Sequence, residues 1–409
     1  MVLNAAPLSR APLGVLVITP TPTHPAIQGN RQRVFEMCRA MQSAGADVTL
    51  LYYATESASA ASVREMRAAW SGVEIVFPRN VVHARGLVRY PAIDDWYDDE
   101  ITAAVLRLCS QKTFDVCLVN YVWYSRLFEY LPPNMVRVID THDLFGARAG
   151  KFVEIGLDPA WFHTSIEQEK LGLDRADFVI AIQDSEAAEL RRRTRSPVHS
   201  VGSLAPCDFL PARRRFAAER LAVGYVGSGN PFNAASMLSF AGALRNQPSI
   251  CDRVEFRIAG QVCNALAGVP HPLRLLGVVD SILNFYRSID VAINPMLGGT
   301  GLKMKSLEAL AFGKPLVATA DAMAGIPGDH AGHRLASQND ILAYLAALAD
   351  QPGALQRETE VSRQVYRAYR RSQLMAFDTL WSDVVTAVGK SASLHGGADR
   401  HERIAGFRR

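Results

Sequence analysis

The residues best suited to chemistry lie between 290 and 319, in DVAINPMLGGTGLKMKSLEALAFGKPLVAT. A strand pattern ends at Asn294-Pro295, and a glycine-rich loop follows with Gly298, Gly299, Thr300 and Gly301. Leu302 then leads into a helix pattern that carries Lys303, Lys305 and Glu308 and stops at Gly313. Glycines let a ligand approach the backbone closely, and the free N–H groups of a helix start favour an anion such as a diphosphate. Lys303 and Lys305 can add point charges to the same phosphates. Glu308, about one and a half turns into the helix at roughly 3.6 residues per turn, can accept hydrogen bonds from a ribose diol. A structural glycine loop with two solvated lysines and a surface glutamate satisfies the same pattern.

Three further clusters stand at comparable places. Ile139-Asp140-Thr141-His142-Asp143 closes a strand pattern. There His142 can hydrogen-bond a hydroxyl or assist developing charge, and Asp143 can orient it. Asp140 or Asp143 could instead cap backbone N–H groups. Three such side chains are too few for a metal site, so none is expected. Gly227-Ser228-Gly229 ends another strand pattern and can offer backbone amides to a diphosphate. Gly29-Asn30-Arg31 follows the first strand, and Arg31 or Arg33 could meet a phosphate or an acidic acceptor, or simply point into solvent. Tyr121, Trp123 and Tyr124 follow a strand and can line a groove or join the core.

The elements that must position these residues alternate. Apolar runs at 13–19, 47–53, 73–77, 114–120, 136–140 and 177–182 are separated by helical periodicity, as in RVFEMCRAMQSAG. Continuous apolar strands between helices predict a doubly wound parallel sheet. A second series runs through 221–227, 254–260, 273–277, 290–295 and 315–319. The spacing therefore predicts two Rossmann-like domains, 1–205 and 221–371, joined by a linker over 205–220. A helix near 372–390 is expected to pack back on the first domain, and 391–409 to be a disordered tail. Ligands of open α/β sheets bind outside the carboxyl ends of the strands, which selects the loops after 19, 140, 227 and 295 and places a cleft between two facing domains.

Composition narrows the function classes. The chain has 409 residues, 49% of them apolar and 21% charged, which argues against wholesale disorder. Lys plus Arg number 44 against 40 Asp plus Glu, a balance that excludes a long nucleic-acid footprint. No apolar run reaches the roughly 18–20 residues that span a bilayer, and GVLVI reads as a buried strand rather than a signal peptide. The six cysteines form no C-x-x-C pair, which suits reduced thiols in the cytoplasm. Arginines cluster at 191–195 and 213–215. They are either solvated or drawn to an anionic bilayer, at about 1 kcal/mol per residue.

Glu308-Ala309-Leu310-Ala311-Phe312-Gly313-Lys314-Pro315-Leu316-Val317 resembles the donor site of retaining GT-B glycosyltransferases of family 4. That family carries two glutamates with seven residues between them, then A-x-x-x-G-x-P-V. Here Thr300 occupies the position of the first glutamate, and the G-T-G-x-K-x-K-x-x-E-A form resembles one branch of the family. VGYVGSGNPFNAASMLSF (223–240) and LRLLGVVDSILNFYRSIDVAINP (273–295) are similar to two more of its segments. The resemblance spans 220–320 closely and the N-terminal half more loosely.

The resemblance implies a GT-B fold and a cytoplasmic, metal-independent retaining enzyme, without a bound cofactor, that can sit at the inner face of the plasma membrane. The donor would be a UDP-, GDP- or dTDP-sugar, and the acceptor a glycan, a lipid-linked molecule or a protein, in surface polysaccharide or glycoconjugate synthesis. His142 and Asp143 would lie near the donor sugar, with Lys303 supporting the leaving diphosphate. Gly29, Gly227, Ser228, Gly229, Gly299, Thr300, Gly301, Leu302 and Lys305 would line the donor, Val279 the base and Glu308 the ribose. The acceptor hydroxyl would attack from the face the nucleotide leaves, with a donor phosphate oxygen taking its proton. A nucleotide-sugar epimerase, a phosphorylase or a non-catalytic nucleotide-sugar binder would share the architecture.

Overall fold

A computed structural model describes residues 12–26, 28–79, 92–146, 148–154, 162–213, 219–298, 301–351 and 353–395. The chain divides into two compact units, 1–204 with 375–409, and 205–374. In the first unit the strands are β1 (Gly14–Thr19), β2 (Asp47–Tyr53), β3 (Gly72–Val76), β4 (Val116–Asn120), β5 (Val136–Asp140), β6 (Phe178–Ala181) and β7 (Val198–Ser200). Its helices are α1 (Gly29–Ser43), α2 (Ala60–Ala69), α3 (Asp99–Gln111), α4 (Arg148–Glu154), α5 (Ile166–Leu173) and α6 (Asp184–Arg193). The sheet runs β3-β2-β1-β4-β5-β6-β7, and every pairing is parallel.

The second unit repeats the plan with β8 (Leu221–Val226), β9 (Val254–Ala259), β10 (Arg274–Gly277), β11 (Val291–Asn294) and β12 (Leu316–Ala318). Between and after them come α7 (Pro231–Arg245), α8 (Cys263–Leu266), α9 (Ile282–Ser288), α10 (Met304–Ala311), α11 (Gln338–Asp350) and α12 (Ala354–His395). The order β10-β9-β8-β11-β12 is again parallel throughout. Counted from its own first strand, it matches the first five strands of the other sheet, third-second-first-fourth-fifth. In both units the order reverses between the first and fourth strands, which is where a ligand crevice opens.

Burial explains the strand patterns. All six residues of β1 are buried, and β8 and β11 are nearly so, as parallel strands covered on both faces must be. The helices begin where small polar caps stand. Ser59, Asp98, Ser165, Asn230, Ser281 and Ser337 each accept a backbone N–H of the following turn. α6 carries Asp184 and Glu186 in its first turn and Arg191, Arg192 and Arg193 in its last, so part of the basic run complements the helix dipole.

Several expectations change on folding. β7 is a three-residue edge strand with no apolar run to announce it. The stretch expected as a linker starts out packed within the second unit. Asp208 N donates to Ala311 O and Leu210 N to Phe312 O, while Leu210 is buried. Two arginines, Arg363 and Arg367, cover the Phe209 ring. Residues 391–395 continue α12, and the rest of the expected tail lies outside the described residues. α12 itself belongs to the second unit up to Leu374 and to the first from Met375. Trp123 and Tyr124 are core residues, 1% and 3% exposed, rather than groove-lining ones.

Candidate functional site

In the second unit the switch point lies between β8 and β11. After β11, the loop at 295–298 is fastened from several sides. Ser236 Oγ accepts Leu297 N at 3.1 Å, and Gln338 Nε2 donates to Ser236 O and Pro295 O at 2.8 and 3.1 Å. Asp321 accepts Gly298 N at 2.8 Å, and Thr319 Oγ1 donates to Met296 O at 2.5 Å. Asn294, the last residue of β11, donates to Ser306 Oγ at 2.8 Å, and Ser306 donates onward to Ala322 O at 2.6 Å. The first turn of α10 is thereby anchored at the strand's carboxyl end. Gly301 has φ 73°, a left-handed value that glycine adopts freely. Gly299 and Thr300 lie outside the described residues.

Lys303 stands at the N-cap of α10, 5% exposed, and its carbonyl accepts Leu307 N. Lys305 makes no hydrogen bond or ion pair among the described residues. Burial pushes its ammonium down to about 8, with Lys303 adding to that and the Glu308 charge opposing it. Burial likewise pushes the Glu308 carboxyl up, against the Tyr286 hydrogen bond and the Lys305 charge. Tyr286, on α9, donates its hydroxyl to Glu308 Oε1 at 2.9 Å. Lys303, Lys305 and Glu308 thus share the first two turns of one helix, with Lys305 half-buried and without an ion pair among the described residues. An anion is the complement that Lys305 lacks.

Across the switch point, Gly227 does not offer its amide to a ligand, because that N–H donates to Ala259 O at 3.0 Å. A Cβ on Gly227 would stand 2.8 Å from the Tyr225 ring, and the turn is as tight on its other side. A Cβ on Gly260, which has φ 90°, would stand 2.2 Å from Gly227 O, so two backbones meet here with no room for more. Ser228 and Gly229 are exposed. Asn233 Nδ2 donates to Ser228 O and to Ser228 Oγ, both at 3.0 Å, which fixes that turn. Val279 is half-buried after β10, beside an exposed Val278.

In the first unit the equivalent strand ends are β1, β4 and β5. Gly29 opens α1 and is exposed. Neither arginine behind it is free. Arg31 pairs with Glu56 at 2.5 Å, and Arg33 holds Asp140 Oδ1 through Nε at 2.9 Å and Nη2 at 2.7 Å. Asp140 is fully buried, and its Oδ2 makes no hydrogen bond among the described residues. His142 has φ 61° and Tyr121 φ 71°, the two non-glycine residues of positive φ among those described. Such positions cost about 1–3 kcal/mol each and gather at functional sites. Their rings stack, with centroids 4.2 Å apart. The His142 imidazole is 6% exposed, and burial brings it down to about 4, with Arg33 adding to that and Asp140 opposing it. Asp143 caps Leu144 N at 2.8 Å and pairs with Arg148 at 3.5 Å.

The sequence-predicted residues thus divide between the units, with Gly29, His142 and Asp143 in the first, and Lys303, Lys305, Glu308 and the Gly227–Gly229 turn in the second. Sequence reasoning passed over Asn120, Tyr286, Asn294 and Ser306. The polar residue ending β4 and β11 is in each case an asparagine, and that repetition was the available signal. Of the basic runs, Arg193 is buried against Glu169, Glu189 and Gly146 O, and Arg213 pairs with Asp290 and Glu219. Neither is available to a bilayer. Among the described residues no helix is long and apolar enough to cross a membrane.

A family model described as glycosyl transferase 4-like domain matches residues 28–201, and one described as glycosyl transferases group 1 matches 220–351. No curated protein matches the chain in sequence. Among solved structures, sucrose-phosphate synthase from Thermosynechococcus elongatus is similar over 92% of this chain and 100% of its own, at 15% identity and TM-score 0.66. HepE of Anabaena, in complex with UDP and glucose, is similar over 94% and 100%, at 12% identity and TM-score 0.59. A TarM mutant of S. aureus, in complex with Fondaparinux, alpha-GlcNAc-glycerol and UDP, is similar over 90% and 99%, at 9% identity and TM-score 0.63.

Proposed function

The chain is a glycosyltransferase of the GT-B fold, and from that premise we propose that it moves a sugar from a nucleotide-sugar to a hydroxyl acceptor with retention of anomeric configuration. The observation that carries this reading is the cationic start of α10, where Lys305 makes no ion pair among the described residues and lies beside Glu308. Its Lys303 and Lys305 suit a diphosphate, and Glu308, held by Tyr286 through one oxygen, keeps the other for a ribose hydroxyl. The bond from the anomeric carbon to the phosphate oxygen breaks, the bond to the acceptor oxygen forms, and the acceptor proton passes to the departing phosphate. No protein nucleophile is required. Catalysis consists of stabilising the leaving diphosphate, which preorganised cations and helix N–H groups do well.

His142 and Asp143 serve the glycosyl side, where a neutral imidazole accepts or donates one hydrogen bond without adding charge. The acceptor class we assign is a glycan, lipid-linked or protein hydroxyl in surface polysaccharide or glycoconjugate synthesis, in the cytoplasm. The paired arginines give no support to a membrane contact through Arg193 or Arg213.

A thermal-shift panel of UDP-, GDP- and dTDP-sugars, followed by NMR of the product's anomeric proton, tests the reading. The stabilising nucleotide identifies the donor base, because bound ligand raises apparent stability by mass action. Retained configuration is the expected outcome. An inverted product overturns the mechanism, an isomerised sugar formed without acceptor points to an epimerase, and binding without transfer or hydrolysis points to a non-catalytic binder.

A further inference from the structure

The end of β4 carries a residue with no role in the reading above. Asn120 is fully buried, and its Nδ2 donates to Ile18 O on β1 at 2.9 Å. That bond turns the amide, so that Oδ1 is the atom facing His142 Nε2 at 2.8 Å. A carbonyl oxygen only accepts, so the proton of the neutral imidazole must sit on Nε2. Nδ1 is then left with a lone pair and makes no hydrogen bond among the described residues. The ring cannot swing away. His142 is in the left-handed backbone region, Tyr121 stacks on its face, and Asn30 on α1 hydrogen-bonds the Tyr121 hydroxyl.

The charges around the ring preserve this state. Asp140 on β5 gives Oδ1 to Arg33 of α1, while its Oδ2 lies 3.9 Å from Nε2, too far for a hydrogen bond. Asp143, next along the chain, is turned to Leu144 N and Arg148. The Asp140 charge favours a second proton, but burial and the Arg33 charge outweigh it and the imidazole stays neutral.

We propose that Asn120 is a positioning residue that fixes His142 as the Nε2-protonated tautomer, so that Nδ1 selects a hydroxyl or another hydrogen-bond donor on the bound sugar or acceptor and rejects a carboxylate or phosphate there. The selection half rests on the reading of His142 as a site residue, whereas the tautomer half stands on this network alone. An anion facing a lone pair is left unpaired, while a hydroxyl is satisfied.

Nitrogen-15 NMR of imidazole-labelled full-length protein tests the proposal, with the His142 signals identified by their absence in His142→Asn, a residue that also tolerates left-handed φ. At pH 7 the wild-type ring is expected to show a protonated Nε2 and a bare Nδ1. Asn120→Asp places a carboxylate on Nε2 and is expected to give an imidazolium at the same pH, to add an acid-side dependence on His142 to the kcat–pH profile, and to lower kcat at neutral pH by about 10- to 100-fold through misplacement of a positioned group. A wild-type ring protonated on Nδ1 overturns the proposal without touching the enzyme's assignment, and needs no variant to fold. An unchanged ring signature in folded Asn120→Asp does the same. The expected signature combined with undiminished turnover in His142→Asn removes the selection half and the site role of His142 together.

Discussion

The two sheets share a strand order, yet their switch points are furnished in opposite ways. In the first unit every charge near the strand ends has a partner. Arg33 is forked onto Asp140, Arg31 onto Glu56 and Arg148 onto Asp143, leaving a neutral histidine as the group on offer. In the second unit Lys305 is half-buried without an ion pair among the described residues, and burial pushes the Glu308 carboxyl up. One end of the fold has been neutralised and the other left electrostatically unfinished. A buried charge costs free energy until something pairs it, so the unfinished end is the one built to be completed by a charged ligand. The neutral end is suited to uncharged hydroxyl groups.

The largest effect expected from this contrast is on catalysis at the cationic end. Lys303→Ala and Glu308→Ala should each reduce transfer, and Lys303→Ala by about 10²- to 10³-fold in kcat, the usual loss when one preorganised donor to developing charge is removed. Both should weaken nucleotide binding by calorimetry. Unchanged turnover in both variants would sink the donor-site assignment.

Stability should separate the two ends next. Arg33→Ala strands Asp140 at zero exposure, and breaking such a pair costs about 3–5 kcal/mol. Lys305→Met does the reverse, removing a half-buried cation that makes no ion pair among the described residues. Chemical denaturation of the unliganded protein at pH 7 should show Arg33→Ala strongly destabilised and Lys305→Met unchanged or stabilised. Equal destabilisation of both would show that the two ends do not differ in the way the geometry indicates.

Titration carries the same asymmetry. The folded pKa of Lys305, about 8, lies below its unfolded value of 10.5, so its contribution is present in full above 10.5 and lost as pH falls through 8. The unliganded protein therefore carries the cost of that cation at neutral pH, and a bound anion relieves it. Nucleotide affinity should fall as pH rises from 7 through about 8, where the proton leaves, and Lys305→Met should flatten that slope. His142 titrates on the other side. Its folded value of about 4 lies below 6.5, so stability is kept above 6.5 and lost as pH falls towards 4. His142→Asn should remove that portion of the acid limb.

Much of this was legible in the sequence because strands buried on both faces cannot hide. GVLVIT is almost wholly apolar and DVTLLYY and VRVID are mostly so, and their ends locate the loops of the proposed site. β7 escaped because three half-buried edge residues need no apolar run. The 205–213 stretch read as a linker because prolines and arginines mimic exposed chain, while its fixing contacts come from Arg363, Tyr366 and Arg367, about 150 residues away. Glu308, Lys303 and His142 were visible through spacing. Asn120 and Tyr286 were not, since a polar residue at a strand end or within a helix gains meaning only from the partner opposite it, and no periodicity encodes that partner.

The smallest expected effect concerns one of those partners. Tyr286→Phe removes the donor to Glu308 Oε1 without opening a cavity, because the ring keeps its packing against Phe285 and Phe312. The lost hydrogen bond is worth about 1 kcal/mol, so KM for the nucleotide-sugar should rise several-fold while kcat holds. The direction follows from what the hydroxyl does to the carboxylate. Burial favours the neutral acid and the tyrosine opposes that, so without the tyrosine Glu308 takes up a proton at higher pH and spends one oxygen as an O–H. The KM increase should therefore be largest at low pH and shrink as pH rises. A KM increase of the same size at every pH would mean that Tyr286 acts through packing alone. No change at any pH would mean that Glu308 does not touch the nucleotide, and the second unit's claim to the ribose would go with it.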